Sequence, residues 1–132
     1  MAVPIVPLSD ADAMQVGLYG ALGAMLKWQD VMSTYCGVQN FDEYNRLRNN
    51  TVALAVEANE VLAHFSNETK PWKQLMPNME LVDEEMIDVL HFVLTYFNLR
   101  GWDTKDILEH YRSKNLHNFD RVRQKMEAMQ NA

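Results

Sequence analysis

The chain has 132 residues, enough for one domain with a real core and too few for two. Hydrophobic residues make up 48% and charged residues 23%, the balance of a soluble globular protein, and a formal net charge of −6 argues against a general nucleic-acid surface. The single cysteine, Cys36, has no internal disulfide partner, which suits a reducing cytoplasm and reads as a small buried or half-buried residue.

The first seven residues lack the basic and apolar regions of a signal peptide. Residues 1–9 are read as an N-terminal extension. Ser9 and Asp12 resemble a capping box that opens a helix from about Asp10 to Tyr35, and Gly37 closes it. Gly17, Gly20 and Gly23 recur every third residue inside this helix, a spacing that would let a neighbouring helix approach closely. A second helix is expected from Asn40 or Asp42 to about Ser66, with an irregularity near Asn49 and Asn50. Residues 67–78, with Pro71 and Pro77, read as a loop. A third helix runs from about Met79 to Arg100 and stops at Gly101. The fourth starts with Asp103 or Thr104 as cap and continues to about Met129, with a break near residues 115–118 and a tail over 125–132. No strand alternation, internal repeat or low-complexity segment appears. The apolar run over residues 89–97 is too short and too interrupted to span a membrane. The expected fold is therefore all-α, a single-domain four-helix arrangement over residues 1–132.

Two acidic pairs interrupt the apolar helices. Glu57 and Glu60 lie on the second, Glu85 and Asp88 on the third, each pair at the i, i+3 spacing that puts both carboxylates on one side of a helix. At about 100° per residue, Val89, Phe92 and Tyr96 fall close to Glu85, so Glu85 stands within the apolar stripe. Asp88 lies at its margin, beside a polar arc of Glu84, His91, Thr95 and Asn98. Carboxylates placed among core-type residues are costly unless a positive partner meets them. A hard divalent cation carrying phosphate oxygens is such a partner, with Mg²⁺ the natural choice and Mn²⁺ as a substitute. The pattern points to a metal-dependent enzyme acting on a phosphorylated substrate. No serine or cysteine stands in a recognisable triad context, so no protein nucleophile is required.

Taken in order, these residues resemble the all-α nucleoside triphosphate pyrophosphatases, the superfamily of MazG-like enzymes and dimeric dUTPases. The signature is ExxE followed by ExxD, here Glu57/Glu60 and Glu85/Asp88. Residues 53–62, the loop 69–73, residues 84–92, and Tyr111 to Asn115 with Asn118 and Arg121 look like dimeric dUTPase segments. The resemblance covers about residues 25 to 124. It implies that the four carboxylates hold two or more Mg²⁺ ions and help activate the water that splits a (deoxy)nucleoside triphosphate, dUTP first, into monophosphate and pyrophosphate. It also implies that Lys114, Asn115, Asn118 and Arg121 face the phosphates, with Lys73 nearby in the loop. Gln29 would contact the nucleoside and Trp72 would lie near the base. Two positions depart from the pattern. An asparagine expected soon after the glutamine is replaced by Met32 and Ser33, and Pro71 stands where an aromatic residue is common. Broad MazG-like, dCTP or modified-nucleotide specificity is the alternative.

Two other classes were weighed on the residues. Asp88 and His91 approximate the ExxH of carboxylate-bridged di-iron bundles, but the second motif is absent and aspartate replaces glutamate. Apolar helices with nine methionines would also suit a non-catalytic interaction module. The same apolar faces imply a homo-oligomer, a dimer or tetramer. The expected protein is cytoplasmic, binds a nucleoside triphosphate and engages neither nucleic acid nor membrane.

Overall fold

The computed structural model describes residues 10–65 and 78–132, with side chains from residue 20 onward. Helix α1 spans Asp10–Tyr35, and a short 3₁₀ turn at Val38–Asn40 leads to α2 at Glu43–Phe65. Helix α3 spans Met79–Leu99 and α4 spans Thr104–Gln130. The protein is all-α, with no strand among the described residues. None of its described helices is long and apolar enough to cross a membrane.

The punctuation read from the sequence is where the chain turns. Gly37 has φ 81, and its N–H donates to Thr34 O at 3.1 Å, closing α1 with a left-handed residue that favours glycine. Asp42 caps α2, its Oδ1 accepting the Asn45 N–H at 2.9 Å. Asn78 caps α3 by accepting the Glu80 N–H at 3.1 Å, and Gly101, at φ 67, follows its last turn. Asp103 and Asp106 form a full capping box at the start of α4: Asp106 N–H donates to Asp103 Oδ1, and Asp103 N–H donates to Asp106 Oδ2.

Two expected irregularities do not occur. Helix α2 runs unbroken through Asn49 and Asn50, because Asn50 sends its amide across to Phe92 O on α3 at 2.9 Å instead of competing for its own backbone. Helix α4 is continuous through residues 115–118 and into the expected tail, ending at Gln130. The weak helix formers Asn115, His117 and Asn118 lower propensity, yet no glycine or proline is there to break the ladder. The proposed Ser9 cap and the loop over residues 67–77 lie outside the described residues. Gly17 lies within α1, and Gly20 and Gly23 are half-buried.

The chain falls into two compact units, Met1–Gly101 and Trp102–Ala132. In the first, α3 packs against both α2 and α1. Its buried apolar residues among those described are Leu26 from α1, Val61 from α2, and Val82 and Leu94 from α3. Amide groups fasten the helices to one another as well. Besides the Asn50 bond, Asn98 Nδ2 donates to Leu26 O at 2.9 Å, tying α3 to α1. In the second unit Trp102 stacks on His110, with ring centroids 4.0 Å apart and planes 7° from parallel.

Candidate metal centre and adjoining cavity

Helices α2 and α3 bring three of the four predicted carboxylates together. Glu57, Glu85 and Asp88 each offer an oxygen within 4.8 Å of the other two. Glu57 reaches the group because Val61, one turn further along α2, is buried and the neighbouring Ala53 and Leu54 are half-buried, so this helix face turns toward α3. On α3, Glu85 is the inner partner, with its side chain 25% exposed, and Asp88 the rim partner at 50%. The deepest oxygen, however, belongs to Glu57. Its Oε2 is buried and has no hydrogen-bond partner among the described residues.

Electrostatics mark the same residue. Burial raises the Glu57 pKa above its ordinary value, helped by the side chain and charge of Glu60 and then by the charges of Asp88 and Glu85. Glu60 is exposed and lies outside the group of three, yet it acts on Glu57 directly. Two histidines flank the cluster: His64 Nε2 is 3.6 Å from Glu85 Oε1, and His91 Nδ1 is 3.4 Å from Asp88 Oδ1. They stand beside the carboxylates rather than among the grouped ligands, unlike a di-iron ExxH site. The donor set fits a hard divalent cation. It is all oxygen and converges from two helices, it holds one buried oxygen without a partner, and its spacing can be bridged at Mg–O distances of about 2.1 Å with small adjustments.

A cavity of about 720 Å³ opens between α1, the 3₁₀ turn, α2 and α3, and its lining includes both Glu57 and Asp88. Gln29, predicted to meet the nucleoside, lines it. Its Nε2 donates to Thr95 Oγ1 at 2.9 Å, with a longer 3.5 Å contact to Ser33 Oγ. Several lining residues were not singled out for this role in the sequence. Trp28 is 40% exposed and walls the cavity, and Cys36 is exposed rather than buried. Thr95 is 4% exposed, so the polar arc of α3 is not solvated along its whole length: Thr95 and Asn98 bond to α1. The available signal was the i, i+3 spacing of Thr95 and Asn98 on an otherwise apolar helix.

Trp72 and Lys73 lie outside the described residues. Lys114, Asn115, Asn118 and Arg121 are all exposed on α4, within the second unit, with Asn118 spaced i, i+4 from Lys114 and i, i+3 before Arg121.

Residues 21–100 match a family model described as dUTPase, and the chain belongs to that family. That range contains Gln29, Thr95 and all four predicted carboxylates. The protein is accordingly dUTPase-like, of the nucleotide pyrophosphatase class. No curated protein and no solved structure matches the chain.

Proposed function

We propose that this protein is a Mg²⁺-dependent pyrophosphohydrolase that converts a deoxynucleoside triphosphate, dUTP first, into the monophosphate and pyrophosphate. The observation that carries the reading is the convergence of Glu57, Glu85 and Asp88 at a cavity that two of them also line. Phosphates held at the carboxylates through a cation leave the nucleoside to occupy the cavity. When bound, Mg²⁺, or Mn²⁺ in its place, would lower the pKa of a water and neutralise charge on the leaving pyrophosphate. Glu57, Glu85 and Asp88 would hold the cation, with Glu60 beside them. Glu57 or Glu60 would accept the proton of the attacking water, and the raised affinity of Glu57 for a proton supports it in that role. His64 and His91 would orient Glu85 and Asp88.

The α4 face of Lys114, Asn118 and Arg121, with Asn115, is proposed to bind phosphate oxygens. Trp72 and Lys73 are proposed contacts of the base and phosphates. A homo-oligomer is supported by large apolar side chains left exposed on α2 and α3, among them Val52, Val56, Leu62, Met86 and Ile87. The proposed setting is cytoplasmic, with one domain over residues 1–132.

A panel of canonical and modified NTPs and dNTPs, assayed for pyrophosphate release with Mg²⁺, tests the proposal. Release from dUTP ahead of the others, lost in excess EDTA and restored by Mg²⁺, is the expected result. Full activity in EDTA would reject the metal mechanism, and preference for another base would reject dUTP.

A further inference from the structure

The connector between α1 and α2 forms one wall of the cavity, and it is thinly supported. Cys36, Val38 and Phe41 line the cavity from this segment, while Val38 and Gln39 also line a second cavity of about 180 Å³. No residue of the 3₁₀ turn is buried, and Phe41 is 52% exposed. Packing therefore does little to place the connector, and its hydrogen bonds matter more. Two run within the turn: Asn40 N–H donates to Gly37 O at 3.0 Å, and Phe41 N–H donates to Val38 O at 3.3 Å. Two more come from one side chain of α2. Arg46 donates from Nε to Phe41 O at 2.5 Å and from Nη2 to Gln39 O at 2.6 Å. These bonds are shorter and their donor is charged, which makes them the stronger pair. A guanidinium suits the task, because its planar fork holds two carbonyls at once and an ammonium does not. Arg46 itself lines both cavities.

We propose that Arg46 is a positioning residue for ligand binding: it clamps the α1–α2 connector so that Val38 and Phe41 stand as a preformed wall of the cavity. This rests on the reading of the cavity as the nucleotide site, and it ties ligand affinity to a residue with no place in the carboxylate cluster. Arg46 precedes Glu57 by three turns of α2, about 16 Å at about 1.5 Å per residue. Its loss should therefore weaken binding and leave the chemistry at the carboxylates in place. A wall held before the ligand arrives spares the ligand the cost of ordering it. Without the clamp, that cost falls on binding.

The test combines hydrogen exchange, nucleotide binding and turnover in the wild-type protein, Arg46→Met, Arg46→Lys and Phe41→Ala, with folding checked by circular dichroism. In ligand-free Arg46→Met, the amides of Asn40 and Phe41 should exchange about tenfold faster or more, because bonds from a charged donor are lost. Calorimetric binding of dUMP and dCMP, which hold no pyrophosphate to release, should weaken about tenfold for the tighter of the two. With triphosphates KM should rise by a similar factor, with kcat largely retained. Arg46→Lys should fall between wild type and Arg46→Met in each measurement. Phe41→Ala keeps the carbonyl that Arg46 holds but removes the ring it presents, so Arg46→Met should cost much less in that background. A folded Arg46→Met with unchanged exchange at Asn40 and Phe41, or with unchanged nucleotide binding, overturns the proposal. Full additivity with Phe41→Ala overturns it as well. Should Arg46→Met not fold, Arg46→Lys carries the same comparison. Nucleotide binding weakened in Arg46→Met, with no pyrophosphate released from any triphosphate by the wild type, would reject the hydrolase reading and leave this one standing. Absence of nucleotide binding to the wild-type protein would reject this one.

Discussion

Glu57 is the residue on which most of the site's electrostatics falls. Its buried, unpartnered oxygen and its three acidic neighbours all favour the protonated form. Its folded pKa lies above the ordinary 4.5, so the folded state binds this proton more tightly than the unfolded chain. In metal-free protein its contribution to stability is full below 4.5 and is lost as pH rises through the folded value. Asp42 and Asp103 run the opposite way. Backbone hydrogen bonds from Asn45 and Asp106 lower their pKa values, so their stability is present above 3.8 and lost as pH falls through the folded values. Melting curves in EDTA between about pH 4 and 8 should therefore show wild type losing ground to Glu57→Gln as pH rises through that window. A pH-independent difference would reject the assignment. Mg²⁺ needs the deprotonated carboxylate, so the rise in Tm on adding Mg²⁺ should grow with pH in wild type and be small in Glu57→Gln. Glu85→Gln keeps shape but loses a ligand charge. Pyrophosphate release should fall by more than about 100-fold with the circular dichroism spectrum retained, since partners outside the ligand set alone cost about 10–100-fold. Near-normal turnover would remove Glu85 from the site.

At the scale of elements, α3 is the helix that both α1 and α2 meet. It carries Glu85 and Asp88 toward Glu57 of α2 and bonds to α1 through Thr95 and Asn98. The Asn50 bond to Phe92 O fixes α2 against α3 close to the cavity. Asn50→Ala should lower unfolding free energy by about 0.5–1.5 kcal/mol, measurable by urea titration, because one buried hydrogen bond is lost. No change would show the bond to be dispensable. For α4, Asp103→Ala removes the receiving half of its capping box. Hydrogen exchange in the first turn of α4 should quicken relative to the rest of the chain. Unchanged protection there would show that the cap does not hold the end. The caps of α2 and α4 were readable as Asp before a helical run, while the Asn78 cap of α3 was not singled out. The unbroken courses of α2 and α4 were less so, because propensity at Asn50 or Asn118 does not say where the side chain finds its partner.

For the whole molecule, the described residues bury only four apolar side chains: Leu26, Val61, Val82 and Leu94. Leu94, at 3% exposure, is the most enclosed of them. Leu94→Ala should cost about 2–5 kcal/mol, read as a lower urea midpoint at unchanged slope. A loss well under 1 kcal/mol would mean the site collapses freely around the gap. So small a core, beside exposed Val56, Leu62, Met86 and Ile87, agrees with burial of these faces by a second copy. Light scattering coupled to size exclusion should give a mass at least twice 15.3 kDa. A concentration-independent monomer would end that proposal.

Helix periodicity and terminal punctuation are local properties, so the sequence by itself determined the four helices and the i, i+3 pairing of the acidic residues. It also placed Glu57, Glu60, Glu85 and Asp88 within the range that the dUTPase family model matches. Tertiary structure alone decided which carboxylates converge, because the meeting of α2 and α3 depends on packing between residues about 30 apart in the chain. It left Glu60 outside the group, buried an oxygen of Glu57 rather than of Glu85, and turned Thr95 toward Gln29. A helical pattern states which face a residue occupies. Only the neighbouring helix states what that face meets, and from that comes the raised proton affinity of Glu57.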